Sequence, residues 1–272
     1  MDQPPQDGAT AIAEKPGTFI WGGTAGLVYL LPSGDAIKSP WPGGEFEEFC
    51  RKAIRIEASI YQHLGELLGE HPRLLKMKHW DPSANTITLE YMENGTLQDY
   101  VKGHFEEISL AQKISWSLEA TDAVELLHSS GVIHCDIQPL NFLLDENLSL
   151  KIMDFSGSSL NGSRAIVCPG PRYCAPNLRS ENALTVDEDL FSLGSTLYFI
   201  MTGKAPYEEL LDHEVEDKYR EGEFPDLGGI PCAEAIASTW RQEVSSARSV
   251  RAAIEGYIAQ TTEPEPKSGG GV

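Results

Sequence analysis

Two stretches of the 272-residue chain carry residues whose types and order could do chemistry. They are His134-Cys135-Asp136-Ile137-Gln138-Pro139-Leu140-Asn141 and Asp154-Phe155-Ser156-Gly157. An aspartate on a loop can accept the proton of a hydroxyl. An asparagine a few positions on, with a second aspartate beyond a hairpin, offers the hard oxygens that Mg²⁺ prefers. Phosphoryl transfer asks little more of a protein than a positioned hydroxyl, an acceptor for its proton and metal ions that neutralise the phosphates. Between Asn141 and Asp154 lie two short apolar segments, Phe142-Leu143-Leu144 and Leu150-Lys151-Ile152-Met153, separated by acidic turn residues. Folded back on each other, they would bring both metal-ligating side chains to one mouth. Taken singly, an Asp or Asn on a loop is most often a structural cap, so the ordered set carries the argument.

The elements that must position these residues fall into two groups. From Thr18 to Lys38, short β-like runs alternate with Gly pairs, as in a hairpin-rich sheet. After Gly43-Gly44, the 3.6-residue spacing of Phe46, Phe49, Ala53, Ile56, Ile60 and Leu64 predicts a helix from Glu45 to about Leu68. Two strands are expected near Leu74 to Trp80 and Thr86 to Tyr91, then a junction at Glu93-Asn94-Gly95. A helix from Ser109 to His128 opens on a capping box, Ser109 with Gln112, and Gly131 follows its end. Asp189 to Thr202 is apolar almost all round and stops at Gly203, as a helix buried at the centre of a lobe would. The order is a mainly β first third and a mainly α remainder.

These motifs resemble the eukaryotic protein kinase superfamily, in order and spacing, over nearly all of residues 18 to 258. The catalytic loop H-R-D-x-x-x-x-N is matched at His134, Asp136 and Asn141, and D-F-G at Asp154-Phe155. The resemblance implies an α+β bilobal protein kinase fold: an antiparallel β-rich N-lobe with one αC helix, and a mainly α-helical C-lobe. It places the N-lobe at 18–93 and the C-lobe at 94–260, while composition reads the N-terminus (1–17) and the tail (261–272) as disordered. The implied cofactors are ATP and Mg²⁺, with Asp136 as catalytic base, Asn141 and Asp154 as metal ligands and His134 as a packing residue. Asp35-Ala36-Ile37-Lys38 resembles V-A-I-K, so Lys38 would hold the α/β-phosphates and pair with Glu57 on the αC-like helix. Ala36 and Val28 would line the adenine pocket under Ile20. Gly23, Gly26 and Val28 match G-x-G-x-x-G-x-V, with Trp21 in the first glycine's place. Leu89-Glu90-Tyr91-Met92 resembles the hinge, where backbone groups of Glu90 and Met92 would bond adenine. Arg172-Tyr173-Cys174-Ala175-Pro176-Asn177 resembles the segment ending in A-P-E. Asp189 would orient the catalytic loop by accepting its backbone N–H bonds.

Several positions depart from the family pattern. Cys135 replaces the Arg that pairs with a phosphorylated activation loop, so phosphorylation at Ser156, Ser158, Ser159 or Ser163 is not expected to switch activity on. Gln138 replaces the Lys that steadies the γ-phosphate; its amide donates a hydrogen bond without the charge that roughly doubles such a bond's strength. Pro171 replaces the Thr that bonds that Lys, Ser156 the glycine of D-F-G, and Asn177 the Glu of A-P-E, for whose Arg partner Trp240 to Val250 shows no clear matching Arg-Pro. Three readings follow. The first is a protein kinase, Ser/Thr type favoured, with weak turnover. The second is a pseudokinase serving as a nucleotide-binding scaffold. The third is a small-molecule kinase, which would share H-x-D-x-x-x-x-N but not Ala175-Pro176 or the Asp189 helix. The H-C-D variant and compact spacing also resemble small stand-alone kinases of filamentous fungi.

Composition narrows the partners. Net charge is −20, from 41 Asp plus Glu against 21 Lys plus Arg, a field that repels phosphate backbones and makes nucleic acid a poor partner. A protein substrate is expected, basic if the acidic run from Glu208 to Asp217 recruits it, although such a run is more often a solvated helix face. No stretch reaches the roughly 18 apolar residues a bilayer requires, and residues 1 to 17 do not form a secretory signal. Five cysteines without a Cys-x-x-Cys pair read as reduced thiols of a cytoplasmic protein, the nucleus being the second choice. A monomer is expected.

Overall fold

The computed structural model describes residues 16–44, 46–176 and 185–262. Strands β1 (Thr18–Gly23), β2 (Gly26–Leu30), β3 (Ala36–Ser39), β4 (Met77–Asp81) and β5 (Thr86–Leu89) form one antiparallel sheet in the order β1-β2-β3-β5-β4. Directly opposed residues share a face. Val28, Lys38 and Ile87 therefore lie in line on one side, with Ala36 and Leu89 beside them. The β1–β2 register slips between Phe19 and Trp21, so Ile20 and Trp21 both stand against Val28, as at a bulge.

The helix packed beneath the sheet, α1 (Phe46–Leu68), buries Cys50, Ala53, Ile54, Glu57, Ala58, Ile60, Tyr61 and Leu64. Its buried stripe is offset from the expected one. Phe46 is exposed and Phe49 and Ile56 are half-buried, because the face turned inward is the one that carries Glu57 to Lys38. Apolar spacing alone pointed one residue aside.

Helices α2 (Leu97–His104), α3 (Leu110–Ser129), α4 (Val186–Thr202), α5 (Asp212–Arg220), α6 (Ala233–Trp240) and α7 (Ala247–Thr262) make the second, mainly helical part. With them come the short pairs β6 (Val132–Ile133) with β9 (Ser159–Leu160) and β7 (Phe142–Leu144) with β8 (Leu150–Ile152). At the start of α3 the Ser109 hydroxyl accepts from the Gln112 N–H. The long helix α4 opens on a full capping box, Thr185 with Glu188, and ends at Gly203, whose φ of 73° is the left-handed cap a Cβ would strain. It is buried from Asp189 to Leu197 and packs on α3 and α6. Helix α7 runs through Thr261 and Thr262, which the sequence reading placed in the tail; the Thr261 hydroxyl bonds back to the Tyr257 and Ile258 carbonyls and so fits the last turn. The rest of the expected termini, residues 1–15 and 263–272, and Asn177 lie outside the described residues. Among the described residues no helix is long and apolar enough to cross a membrane.

Candidate active site

Strand β3 alternates, so Ala36 and Lys38 point to the same side and both are buried. Across the cleft Lys38 Nζ reaches Glu57 Oε2 of α1 at 2.6 Å and Asp154 Oδ1 at 2.8 Å. Burial disfavours the charged amine, yet the carboxylates of Asp154 and Glu57 outweigh it and hold its pKa above the ordinary lysine range. Burial likewise opposes charge on Asp154, but Lys38 and the Ser156 hydroxyl, 2.6 Å from Oδ1, bring it down to about 2. Thus Ser156, where the family has glycine, becomes a donor to the carboxylate. Asp154 itself sits at φ 63°, a left-handed conformation few aspartates adopt.

Helix α3 and strand β6 deliver the chain to a loop whose backbone is gripped from below. Asp189 on α4 accepts the N–H groups of His134 and Cys135, each at 2.8 Å, and His128 Nε2 donates to it at 2.9 Å. That is the orienting role expected of Asp189, with His128 as a partner the sequence did not suggest. His134 Nε2 donates to the Met153 carbonyl, leaving Nδ1 to accept from the Asp136 N–H. Asp136 is then held on both oxygens, by Gln138 Nε2 on Oδ1 (2.8 Å) and by Asn141 Nδ2 on Oδ2 (2.9 Å). Burial raises its pKa above the usual aspartate value, against the pull of His134 and those two amides. The β7–β8 hairpin closes as expected, and Met153 N–H donates to the Asn141 carbonyl, tying the two candidate metal-ligand segments together.

Behind these polar groups runs an aromatic column that spacing did not reveal. Tyr61 of α1 meets Phe155 edge-on at 4.9 Å between ring centroids, and Phe155 meets His134 at 5.5 Å. A tyrosine four residues after Glu57 lies on the same helix face, which was the only signal available. The Glu90–Met92 segment, read from the sequence as a hinge, keeps two backbone groups in reserve. Among the described contacts Glu90 uses its N–H on the Lys76 carbonyl and Met92 its carbonyl on the Gly95 N–H, which leaves the Glu90 carbonyl and the Met92 N–H. Gly26 needs to be glycine for a reason unrelated to phosphate: a Cβ there would lie 2.2 Å from the Ser39 carbonyl oxygen. Ile20 and Trp21 are part-exposed at the sheet's edge, and Val28 is half-buried.

Residues 37–259 match the model of the protein kinase domain family. The chain belongs to that family. The matched span begins at Ile37, after the β1–β2 hairpin. Curated relatives are similar to it at modest identity: 29% over 231 residues to 3-phosphoinositide-dependent protein kinase 1 of Arabidopsis thaliana, covering 78% of this chain and 45% of that one. CBL-interacting serine/threonine-protein kinase 20 of the same plant is 34% identical over 167 residues, 58% of this chain and 37% of its own. Human calcium/calmodulin-dependent protein kinase type IV is 29% identical over 206 residues, 72% of this chain and 40% of its own. The kinase chain thus spans less than half the length of these three relatives.

Within this kinase domain the segment after Asp154 is fastened by its own residues. Ser158 donates to the His134 carbonyl at 2.8 Å, and Ser163 donates its N–H to the Leu160 carbonyl while its hydroxyl accepts the Leu160 N–H. Cys135 is buried, its thiol turned back on the Ile133 carbonyl and its pKa pushed far up by burial and by Asp189. Further on, Arg172 reaches Asp212 and the carbonyls of Tyr207 and Leu210, and its own carbonyl accepts from Tyr219.

Proposed function

We propose that this chain transfers the γ-phosphoryl group of Mg-ATP to a hydroxyl of a protein substrate, of the Ser/Thr kind that the names of its relatives suggest. One observation carries the proposal: Lys38, Glu57 and Asp154 form one ion-paired cluster across 116 residues of sequence, with Asp136 and Asn141 fixed alongside. The Lys38–Glu57 pair is one that protein kinases require to be in place, together with a D-F-G aspartate free to hold Mg²⁺.

The residues suit Mg-ATP by what they leave unused. Asn141 commits its amide N–H groups to Asp136, leaving Oδ1 for a cation, and Asp154 commits Oδ1 to Lys38 and Ser156, leaving Oδ2. Among the described residues no three His, Cys, Asp or Glu cluster as a metal site by themselves, and magnesium completed by phosphate oxygens and water needs none. When bound, the metal would neutralise charge on the transferring phosphate. In this reading Lys38 holds the α/β-phosphates, Glu57 holds Lys38, and Asn141 and Asp154 hold Mg²⁺. The Glu90 carbonyl and Met92 N–H bond adenine against Ala36, Val28 and Ile20, with Gly23 and Gly26 in the lid above. Asp136, its pKa raised toward working pH by burial, accepts the acceptor hydroxyl's proton; Gln138 orients it without a cation's charge, which supports slow turnover. Exposed acids on α5 and the turn before it favour a basic substrate segment. Five free cysteines favour the cytoplasm.

A nucleotide-binding scaffold is the second reading, favoured by the full occupancy of both Asp136 oxygens. Incorporation of labelled γ-phosphate separates the two. Asp136→Asn is expected to lower it by about 10²–10⁴, and Lys38→Met to abolish it while weakening nucleotide binding. Thermal stabilisation by Mg-ATP with no incorporation by the wild type would favour the scaffold instead.

A further inference from the structure

The β1–β2 hairpin, the lid of the proposed nucleotide site, is not a loose flap. Its tip residues Ala25, Gly26 and Leu27 are buried. From the β3–α1 connection, the Trp41 indole N–H donates to the Gly23 carbonyl at 2.8 Å. The ring of the same tryptophan lies so close over Gly22 that a Cβ there would come within 3.1 Å of it. From the first turns of α1, the Cys50 thiol donates to the Thr24 carbonyl at 3.5 Å. On the strand side the Trp21 indole sits 3.0 Å from where a Gly23 Cβ would be. Two consecutive lid carbonyls are therefore held from outside the lid, and Gly22 and Gly23 are each covered by an indole.

We propose that Trp41, seconded by Cys50, is a positioning residue that latches the lid to α1 and so to the helix carrying Glu57. The physical need for it is visible in the sequence. A three-glycine lid can settle its backbone on phosphate by itself, whereas here Trp21 replaces the first glycine and stiffens the strand. An external hold fixes where the Gly23 carbonyl points and therefore where the adjoining N–H groups face. Ordering the lid beforehand also removes part of the entropic cost that a nucleotide would otherwise bear on binding. Cys50 lies two turns before Glu57 on α1, so a shift of this helix that pulls Glu57 from Lys38 would drag the lid with it. As a nucleotide device the latch rests on the phosphoryl-transfer reading; as a lid contact it does not.

The test uses the full chain and the variants Trp41→Phe, which keeps a ring and deletes the donor, and Cys50→Ala. Backbone hydrogen exchange of residues 22–27 reads the latch without any need for activity. Loss of one hydrogen bond is expected to speed exchange there about fivefold in Trp41→Phe, with exchange of α4 unchanged as evidence of intact folding. Cys50→Ala should speed it less, the thiol being the weaker donor. Direct binding of Mg-ATP should weaken by a similar factor in Trp41→Phe, and the KM for ATP should rise with kcat within twofold. Unchanged lid exchange in Trp41→Phe overturns the latch, whereas faster exchange with unchanged or tighter Mg-ATP binding overturns its role in positioning nucleotide. A wild type that binds no Mg-ATP overturns the phosphoryl-transfer reading instead, and lid exchange alone then decides the latch.

Discussion

Asp154 concentrates much of the site's electrostatics in one side chain. Its folded pKa of about 2 lies below the unfolded value of 3.8, so its contribution to stability is present above about pH 4 and fades as pH falls toward 2. The stability difference between the wild type and Asp154→Asn should therefore narrow between pH 6 and pH 2.5 in denaturant melts; a constant gap would contradict the Lys38–Asp154 pairing. The cysteines give a second check at this scale. Thiolates are the reactive form, and burial raises the thiol of Cys135 far up and that of Cys232 to about 11. At pH 8, iodoacetamide should label the exposed Cys168 and spare both of the others until the protein is unfolded. Early labelling of Cys135 would mean that the catalytic loop opens.

At the scale of elements, α4 is the pedestal. Asp189 near its start fixes the catalytic loop, Ser192 donates to the Tyr173 carbonyl at 2.5 Å, and Gly194 lets α6 approach. A Cβ on Gly194 would fall 1.8 Å from the Thr239 hydroxyl and 2.9 Å from its Cβ. Gly194→Ala is expected to cost about 1–3 kcal/mol by overpacking, read as a lower denaturant midpoint. A neutral result would mean that α6 moves freely on α4. The segment after Asp154 is the other element with a checkable property. Ser156, Ser158 and Ser159 are buried and hydrogen-bonded, and Cys135 cannot pair with a phosphate. Phosphatase treatment should leave phosphoryl transfer within about twofold, whereas a tenfold loss would refute a segment that orders itself.

Over the whole molecule, the acidic balance of −20 surrounds a cleft proposed to bind a polyphosphate. Lys38, buried between two carboxylates, is the cation the cleft itself supplies by this reading, so magnesium would carry most of the neutralisation. By the proposed reading the same field would draw a basic peptide and repel an acidic one. The KM for a basic acceptor peptide should rise several-fold between 50 and 300 mM salt, because exposed charges are screened within about 10 Å at 0.1 M. An acidic peptide preferred at every salt concentration would overturn that reading of the surface.

Much of this was legible beforehand, because the chemistry needs particular side chains in a fixed order. Asp136, Asn141 and Asp154 could be named from residue type and order, and His134, Lys38 and Glu57 from the resemblance their motifs carry; glycine-bounded β-like runs placed the strands and the 3.6 period placed the helix that carries Glu57. Pairings between distant segments were not legible, since nothing local encodes them. The offset buried face of α1, the Tyr61–Phe155–His134 column, the His128 contact to Asp189 and the Ser156 hydroxyl on Asp154 depend on how elements rotate when they pack. So does Trp41, an indole in a loop that looks like surface until the lid folds down beside it. The sequence by itself determined which chemical groups this protein owns and in what order. Only the tertiary structure decided which of them touch, because hydrogen bonds act over about 3 Å while the partners lie tens of residues apart along the chain.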